Sequence, residues 1–321
     1  MKKMNLKKIV SFLIVATFLL ALTACGQKKN NEPVNSGSDN NAENTNNAGS
    51  SNNGNTDSKP DDTSNEDTTK EEPSANLEGT ITITGSTSVE KILLEMADEF
   101  MAYNPEVTIQ YTGTGSSAGI EDAILGVNNL GASSREVKDT ELEQGIEDVV
   151  FAYDGIALVT HPSNPVSDLS LEQVLKIYSG EITNWNEVGG NDAPIIVISR
   201  EGASGTRGAF EELIKLKDVG LTENSTIIEG NGNMQAAVAG NENAIGYVSF
   251  SFIDNTVKAF TIEGVTANAD EVKAAKYPLS RPFLFVYQPD TLSDVTKAFL
   301  EYIVTPEAQA AVENHGGIRI D

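Results

Sequence analysis

The chain has 321 residues, with 22 Lys and Arg against 47 Asp and Glu, a formal charge of −25 and a pI near 4.3. Such acidity provides no basic field for neutralising the phosphates of nucleic acid, and it argues against a peripheral grip on anionic lipid. One Cys and two His exclude a disulfide framework and a Cys/His metal cluster.

The first 76 residues predict an address and a tether. Four Lys between Lys2 and Lys8 precede an apolar run from Ile9 to Leu22 and a small-residue exit at Thr23-Ala24-Cys25-Gly26. This is the pattern of a secretory signal peptide over residues 1–24, with an apolar run shorter than the ~20 residues of a membrane span. Leu22 to Gly26 resembles the lipobox of bacterial lipoproteins. That resemblance implies that Cys25 becomes a lipid-bearing N-terminus on the extracytoplasmic face of the cell membrane, where several acyl chains anchor stably and one does not. Residues 26–76 hold 13 Asn, four apolar residues (Val34, Ala42, Ala48, Ala75) and no aromatic. Such a segment buries too little surface to offset its ordering entropy and reads as a disordered tether. A flexible chain of this length spans about 40 Å root-mean-square.

Folding logic begins near Leu77. Thr80 to Thr84 alternates as a strand, and Gly85-Ser86-Thr87-Ser88 turns into a helix from Val89 to Tyr103 with Val89, Ile92, Leu93, Met96 and Phe100 on one face. After Pro105, the Val107-Ile109-Tyr111 strand leads through Gly113 to Gly119 into a helix reaching about Leu125. Val149 to Phe151 and Ile156 to Val159 read as two strands, followed by a helix from Leu171 to Tyr178. Pro194 to Ile198 is a strand that leads to a helix from Gly208 to Leu216. Ala244 to Val248 and Phe283 to Tyr287 are later strands, and helices from about Ser293 and Pro306 close the chain. The alternation predicts an α/β protein with a mostly parallel sheet. The 245 residues suit one domain or two lobes with a cleft, and periodicity alone does not choose between them.

Glycines and hydroxyls concentrate where strands turn into helices: Gly85-Ser86-Thr87-Ser88, Gly115-Ser116-Ser117, and Arg200 through Ser204-Gly205-Thr206-Arg207. Such junctions direct spare backbone N–H groups and the positive end of a helix dipole at whatever lies beyond, and Ser or Thr adds rotatable donors. Any one of these turns is explained by an N-cap; three of them, one with Arg200, point to a shared oxyanion site. Gly131 to Arg135 is a fourth such turn, in which Arg135 is either a further anion contact or a structural cation. Arg207 reads as a solvated residue of a first helical turn. Asp154, between two apolar strands, is either a turn aspartate beside Gly155 or the acceptor for an oxyanion that keeps a proton. That acceptor would admit monohydrogen phosphate and repel sulfate.

Gly115-Ser116-Ser117-Ala118-Gly119 also fits the G-x-S-x-G nucleophile elbow, which opens an alternative reading as a secreted serine hydrolase using Ser117 with His315. His315, in Asn314-His315-Gly316-Gly317, reads instead as a helix-terminus residue, His161 lies in a loop before Pro162, and no P-loop or metal pattern is present.

Across residues 79–321 the chain resembles the substrate-binding lipoprotein of the bacterial ABC-type phosphate importer. Ordered motifs carry the likeness: the four small-residue turns, Asp154-Gly155-Ile156-Ala157, Ile177 through Trp185, and Ala244 to Val248. The resemblance implies a two-lobed type II periplasmic-binding-protein fold with a central ligand cleft. It places lobe I at 77–157 plus 281–321 and lobe II at 158–280. It implies phosphate contacts from Thr87, Ser88, Ser116, Arg200, Ser204, Gly205 and Thr206; Ser134 and Asp154 complete the expected contact set, with Ser86 and Arg135 as additional candidates from the turns. Ser134 stands where many family members carry the Asp that accepts the phosphate proton, which makes Asp154 a candidate substitute. Gly202 stands where an acidic residue often holds the binding Arg. The expected partners are inorganic phosphate, the importer's permease subunits and, through Cys25, the membrane. Nucleic acid, a cofactor, a metal and catalysis are not expected, and the protein is expected to be a monomer. A receptor for sulfate, molybdate or tungstate is the closer alternative.

The acidity is not confined to the tether. Residues 26–76 carry −6, whereas residues 77–321 hold 14 cations and 37 carboxylates. Long-range steering of an anion by net charge is therefore excluded, and binding must come from short-range donors.

Overall fold

The computed structural model describes residues 77–321; the expected leader, Cys25 and the tether lie outside them. The chain runs β1 (Gly79–Gly85), α1 (Glu90–Tyr103), β2 (Val107–Thr112), α2 (Ser116–Ile124), β3 (Leu130–Ser133), α3 (Asp139–Leu142) and β4 (Glu147–Thr160). It continues through β5 (Asp168–Leu169), α4 (Leu171–Ser179), β6 (Ile196–Arg200), α5 (Gly205–Leu213), β7 (Thr226–Ile228), α6 (Asn231–Ala239) and β8 (Ala244–Ser249). The last elements are β9 (Lys258–Ala259), β10 (Thr261–Ile262), α7 (Ala269–Lys273), β11 (Ser280–Tyr287), α8 (Asp294–Tyr302) and α9 (Pro306–Asn314).

The main sheet has the order β2-β1-β3-β11-β4-β8-β6-β7, with β9 beside β4. β1 pairs parallel with β2 and β3, and β6 pairs parallel with β7 and β8. Between these parallel ends, β11 runs antiparallel to β3 and β4, and β4 runs antiparallel to β8. The expectation of a mostly parallel sheet is thus corrected to a mixed one. A strand buried on both faces carries the same continuous apolar run in either direction, so periodicity left no mark of the antiparallel centre.

Two large hydrophobic clusters and a smaller third around Ile120, Ile146 and Leu284 pack on this frame. The first large cluster joins Ile81, Leu93, Met96, Phe151, Phe283 and Phe299; the second joins Leu158, Tyr178, Trp185, Phe210, Met234 and Tyr247. β4 runs from the first into the second as one 14-residue strand, where the sequence reads as two strands. The intervening Tyr153-Asp154-Gly155 stays extended because Arg281 of β11 lies opposite Asp154 in register and neutralises it, and Tyr153 bridges to Ile318.

The stripe expected on α1 is buried, with Ile92, Leu93, Met96 and Phe100 inward. α5 starts at Gly205, three residues earlier than its sequence suggests, because the Ser204 hydroxyl accepts from the Arg207 amide and caps the glycine-rich turn. β7 and α6 escaped the sequence reading: the Asn- and Gly-rich start of α6 has poor intrinsic propensity, and burial of Met234 and Val238 holds the helix.

A Cβ added at Gly155 would fall 2.0 Å from the Phe250 ring, which packs against Tyr277 with centroids 5.4 Å apart. Gly155→Ala is expected to cost about 1–3 kcal/mol by overpacking, read as a lower midpoint in chemical denaturation; an unchanged midpoint would mean that the ring yields without cost.

Candidate functional site

The small-residue turns converge between the two large hydrophobic clusters. β1 ends at Gly85 with φ +139°, and an added Cβ there would sit 2.1 Å from the Ala132 carbonyl oxygen. Glycine therefore lets β1 lie against β3 while the chain turns into Ser86-Thr87-Ser88. The Tyr111 phenol donates to the Ser86 carbonyl at 2.6 Å, and burial pushes that phenol well above its ordinary range, so it stays a donor. The Gly115 amide donates to the Gly85 carbonyl at 2.7 Å, tying the second turn to the first.

Hydroxyls then meet across the turns. Ser86 Oγ donates to Ser134 Oγ at 2.8 Å. Ser116 Oγ lies 3.3 Å from Ser134 Oγ and accepts from the Ser134 amide at 3.0 Å. Ser88 Oγ lies 2.8 Å from Thr206 Oγ1, 118 residues away. Gly205 brings the start of α5 so close that an added Cβ would be 2.1 Å from Ser116 Oγ. Ser86, Ser88, Ser116, Ser134, Ser204 and Thr206 are all buried, although buried hydroxyls are uncommon away from partners that use them. The starts of α2, α5 and α6 and the turn before α1 thus face one small region, and their spare N–H groups and dipoles give it a positive potential.

Arg200 lies at the end of β6 and is only 1% exposed. Its Nε and Nη2 donate to the two carboxylate oxygens of Glu201, each at 2.8 Å, and Nη2 reaches Thr87 Oγ1 at 3.3 Å. The support sought at Gly202 is supplied one residue earlier, by Glu201. Nη1 is buried and has no hydrogen-bond partner among the described residues. An orphaned guanidinium donor is costly unless a ligand uses it. The Arg200 amide donates to the Tyr247 hydroxyl at 3.2 Å, and burial pushes that phenol up to about 12.

Two residues absent from the sequence reading complete the cluster. Arg281 donates from Nε and Nη2 to Asp154 Oδ2 at 3.0 and 2.7 Å, from Nη2 to Ser88 Oγ at 3.0 Å and from Nη1 to the Ser134 carbonyl at 3.2 Å. Asn231, the first residue of α6, donates from Nδ2 to Thr87 Oγ1 and Ser88 Oγ, both at 3.0 Å. Its signal in the sequence is a strand–Gly–helix junction after β7, one that carries an amide in place of the Ser or Thr of the other turns. Arg281 gave no such signal, since it precedes Pro282 inside a strand rather than in a turn.

Asp154 does not offer the vacant acceptor expected of it. Oδ2 accepts twice from Arg281, and Oδ1 accepts from Ser249 Oγ at 3.0 Å and the Phe250 amide at 3.2 Å. All four lone-pair directions of the carboxylate are filled. Burial pushes its carboxyl upward, opposed by the charge and hydrogen bonds of Arg281 and the bonds from Ser249 and Phe250. Its contact with the cluster runs through Arg281. Arg135 also departs from its candidate place: it forms a bidentate pair with Glu141 at 2.8 and 2.9 Å, and it donates to Ser117 Oγ at 3.1 Å. It lines a groove of about 490 Å³ that opens beside the cluster and is also lined by Ser204 and Arg281. Arg207 holds Glu211 at 2.6 Å and the Arg200 carbonyl at 2.9 Å.

Each cluster arginine carries its own carboxylate, so the side chains sum to no formal charge. An anion held here gains from helix starts, hydroxyls and Arg200 Nη1 at contact distance, which suits a lobe surface that repels anions from afar. The hydrolase alternative finds no triad: Ser117 Oγ accepts from Arg135, whereas His315, at the C-terminus of α9, lies 2.7 Å from Glu95.

A family model described as a PBP superfamily domain matches residues 69–307. A curated relative, the phosphate-binding protein PstS of Bacillus subtilis, is 30% identical over 318 residues, covering 98% of this chain and 94% of the relative. Among solved structures, a putative phosphate ABC transporter substrate-binding protein with bound phosphate from Clostridium perfringens is 46% identical with a TM-score of 0.75, covering 76% of this chain and all of that one. An ABC-type phosphate transport receptor from Vibrio cholerae is 36% identical with a TM-score of 0.64, over 74% of this chain and 99% of that one.

Proposed function

We propose that this chain, which belongs to the PBP superfamily and within it to the substrate-binding proteins of phosphate ABC transporters, captures inorganic phosphate between two lobes and delivers it to the importer's permease. The observation that carries the reading is the buried, unpartnered Nη1 of Arg200 set among hydroxyls at several helix starts. Thr87, Ser116, Ser134 and the backbone amide of Ser88 are the proposed contacts from lobe I, with Ser86 supporting Ser134. Arg200, Ser204, Gly205 and Thr206 are those from lobe II. Asp154 acts by holding Arg281, and Arg135 acts outside the contact set. The lobes divide at residues 157/158 and 280/281, near the points where β4 and β11 pass between the hydrophobic clusters.

Delivery to a permease places the protein outside the cytoplasm, tethered through lipid on Cys25, and the sequence at Leu22 to Gly26 is the support for that anchor. The proposed role is binding without catalysis, because among the described residues the site offers donors on every side and no activated nucleophile; the proposed active form is a monomer. Calorimetric titration of the wild-type protein tests the reading: tight phosphate binding is expected, and heat from sulfate or molybdate with none from phosphate would overturn it. Ser117→Ala is expected to leave phosphate affinity within about twofold, since this hydroxyl faces Arg135. Ester turnover by the wild type that the substitution abolishes would favour the hydrolase.

A further inference from the structure

Asn231 is almost wholly buried and touches two of the three hydroxyls of the first turn, those of Thr87 and Ser88. Its orientation is fixed from behind, because Oδ1 accepts from the Ser249 amide at 3.1 Å. That backbone donor settles which end of the amide is oxygen, so Nδ2 must face Thr87 and Ser88. A hydroxyl has two acceptor directions and one proton. At Ser88 Oγ, Asn231 Nδ2 and Arg281 Nη2, each at 3.0 Å, fill both acceptor directions. The proton in the 2.8 Å contact with Thr206 Oγ1 must then come from Ser88. Thr206 accepts it, and its own proton is directed elsewhere. At Thr87 Oγ1, Asn231 Nδ2 at 3.0 Å and Arg200 Nη2 at 3.3 Å fill the acceptor directions in the same way, leaving the Thr87 hydroxyl only as a donor.

We infer that Asn231 is a positioning residue that, by donating into Thr87 and Ser88, turns the hydroxyl protons of Thr87 and Thr206 toward the bound anion. This rests on the phosphate reading above. Without it, each hydroxyl is free to rotate and present a lone pair, which repels an oxyanion; with it, that side of the site accepts only ligand atoms that are hydrogen-bond acceptors. The reorganisation is completed before the ligand arrives, and the anion does not have to bring it about.

The test is a double-mutant cycle by calorimetric titration with inorganic phosphate, on Asn231→Ala in the wild-type background and in Thr87→Val/Ser88→Ala. Asn231→Ala alone is expected to weaken phosphate binding about 10- to 100-fold. In the background lacking both hydroxyls it is expected to cost less than about twofold, since nothing remains for it to orient. Equal losses in the two backgrounds would overturn the inference and leave Asn231 as a structural or direct contact, and so would an unchanged affinity in the single variant. If Asn231→Ala does not fold, Asn231→Leu fills a similar volume while removing the donor and adds no charge beside the anion. Its loss must then be smaller in the hydroxyl-free background, and an equal loss again overturns the inference. Failure of the wild type to bind phosphate would sink the functional reading itself, which separates the two outcomes.

Discussion

Arg200→Ala is expected to weaken phosphate binding by about 2–5 kcal/mol, roughly 30- to 5,000-fold, the range for truncating one partner of a buried hydrogen-bonded charge pair. Two effects add. The variant loses the orphaned Nη1, whose full charge-assisted hydrogen bond a ligand would receive. It also leaves Glu201, held at both oxygens by Arg200, as an unneutralised carboxylate beside the anion. Arg200→Lys is expected to fall in between: a single ammonium cannot grip Glu201 with two parallel bonds, reach Thr87 and still serve a ligand. Adding Glu201→Gln to Arg200→Ala removes the exposed carboxylate and is expected to recover part of the loss. Calorimetric titration with phosphate reads all three, and a loss below about threefold for Arg200→Ala would take Arg200 out of the site.

The turns were legible in the sequence because their chemistry is local. Gly85, Ser116 and Ser204 each sit at a strand–turn–helix junction that the pattern alone announces, and the structure brings those junctions together. What was illegible depends on pairings distant in sequence. Arg281 meets Asp154 across 127 residues, and only the antiparallel register of β4 and β11 brings them together. Without that partner, Asp154 looked like an acceptor awaiting a ligand and β4 looked like two strands. One hidden contact produced both misreadings. Asn231 was missed for a different reason: an amide does not resemble an anion contact, and its effect is on hydroxyls rather than on the ligand. Glu201 is adjacent to Arg200 in sequence, but its two-point grip on the guanidinium is visible only in the fold. The net charge of the folded part is legible in the composition, and it requires a site built from contact-range donors.

The buried pair leads to the second large effect, Asp154→Asn. Breaking a buried ion pair by neutralising one partner costs about 3–5 kcal/mol, because the remaining charge is left without compensation in a low-dielectric setting. Arg281 is 4% exposed, and its other acceptors are the Ser88 hydroxyl and the Ser134 carbonyl, neither of which carries charge. For a folded part of this size the loss corresponds to a fall in Tm of about 6–20 °C. Asp154→Asn/Arg281→Met is expected to recover much of that stability, since an apolar replacement of similar length removes the stranded charge. A Tm within about 2 °C of wild type for Asp154→Asn alone would mean that the pair contributes no such compensation. The same variant separates two accounts of selectivity. If Asp154 accepted the proton of monohydrogen phosphate directly, its loss would collapse the preference for phosphate over sulfate. With its four acceptor directions already occupied, the affinities for the two anions are expected to move together, their ratio changing by less than about threefold. A ratio that shifts tenfold or more would put the carboxylate in contact with the ligand and displace Arg281 as its principal partner.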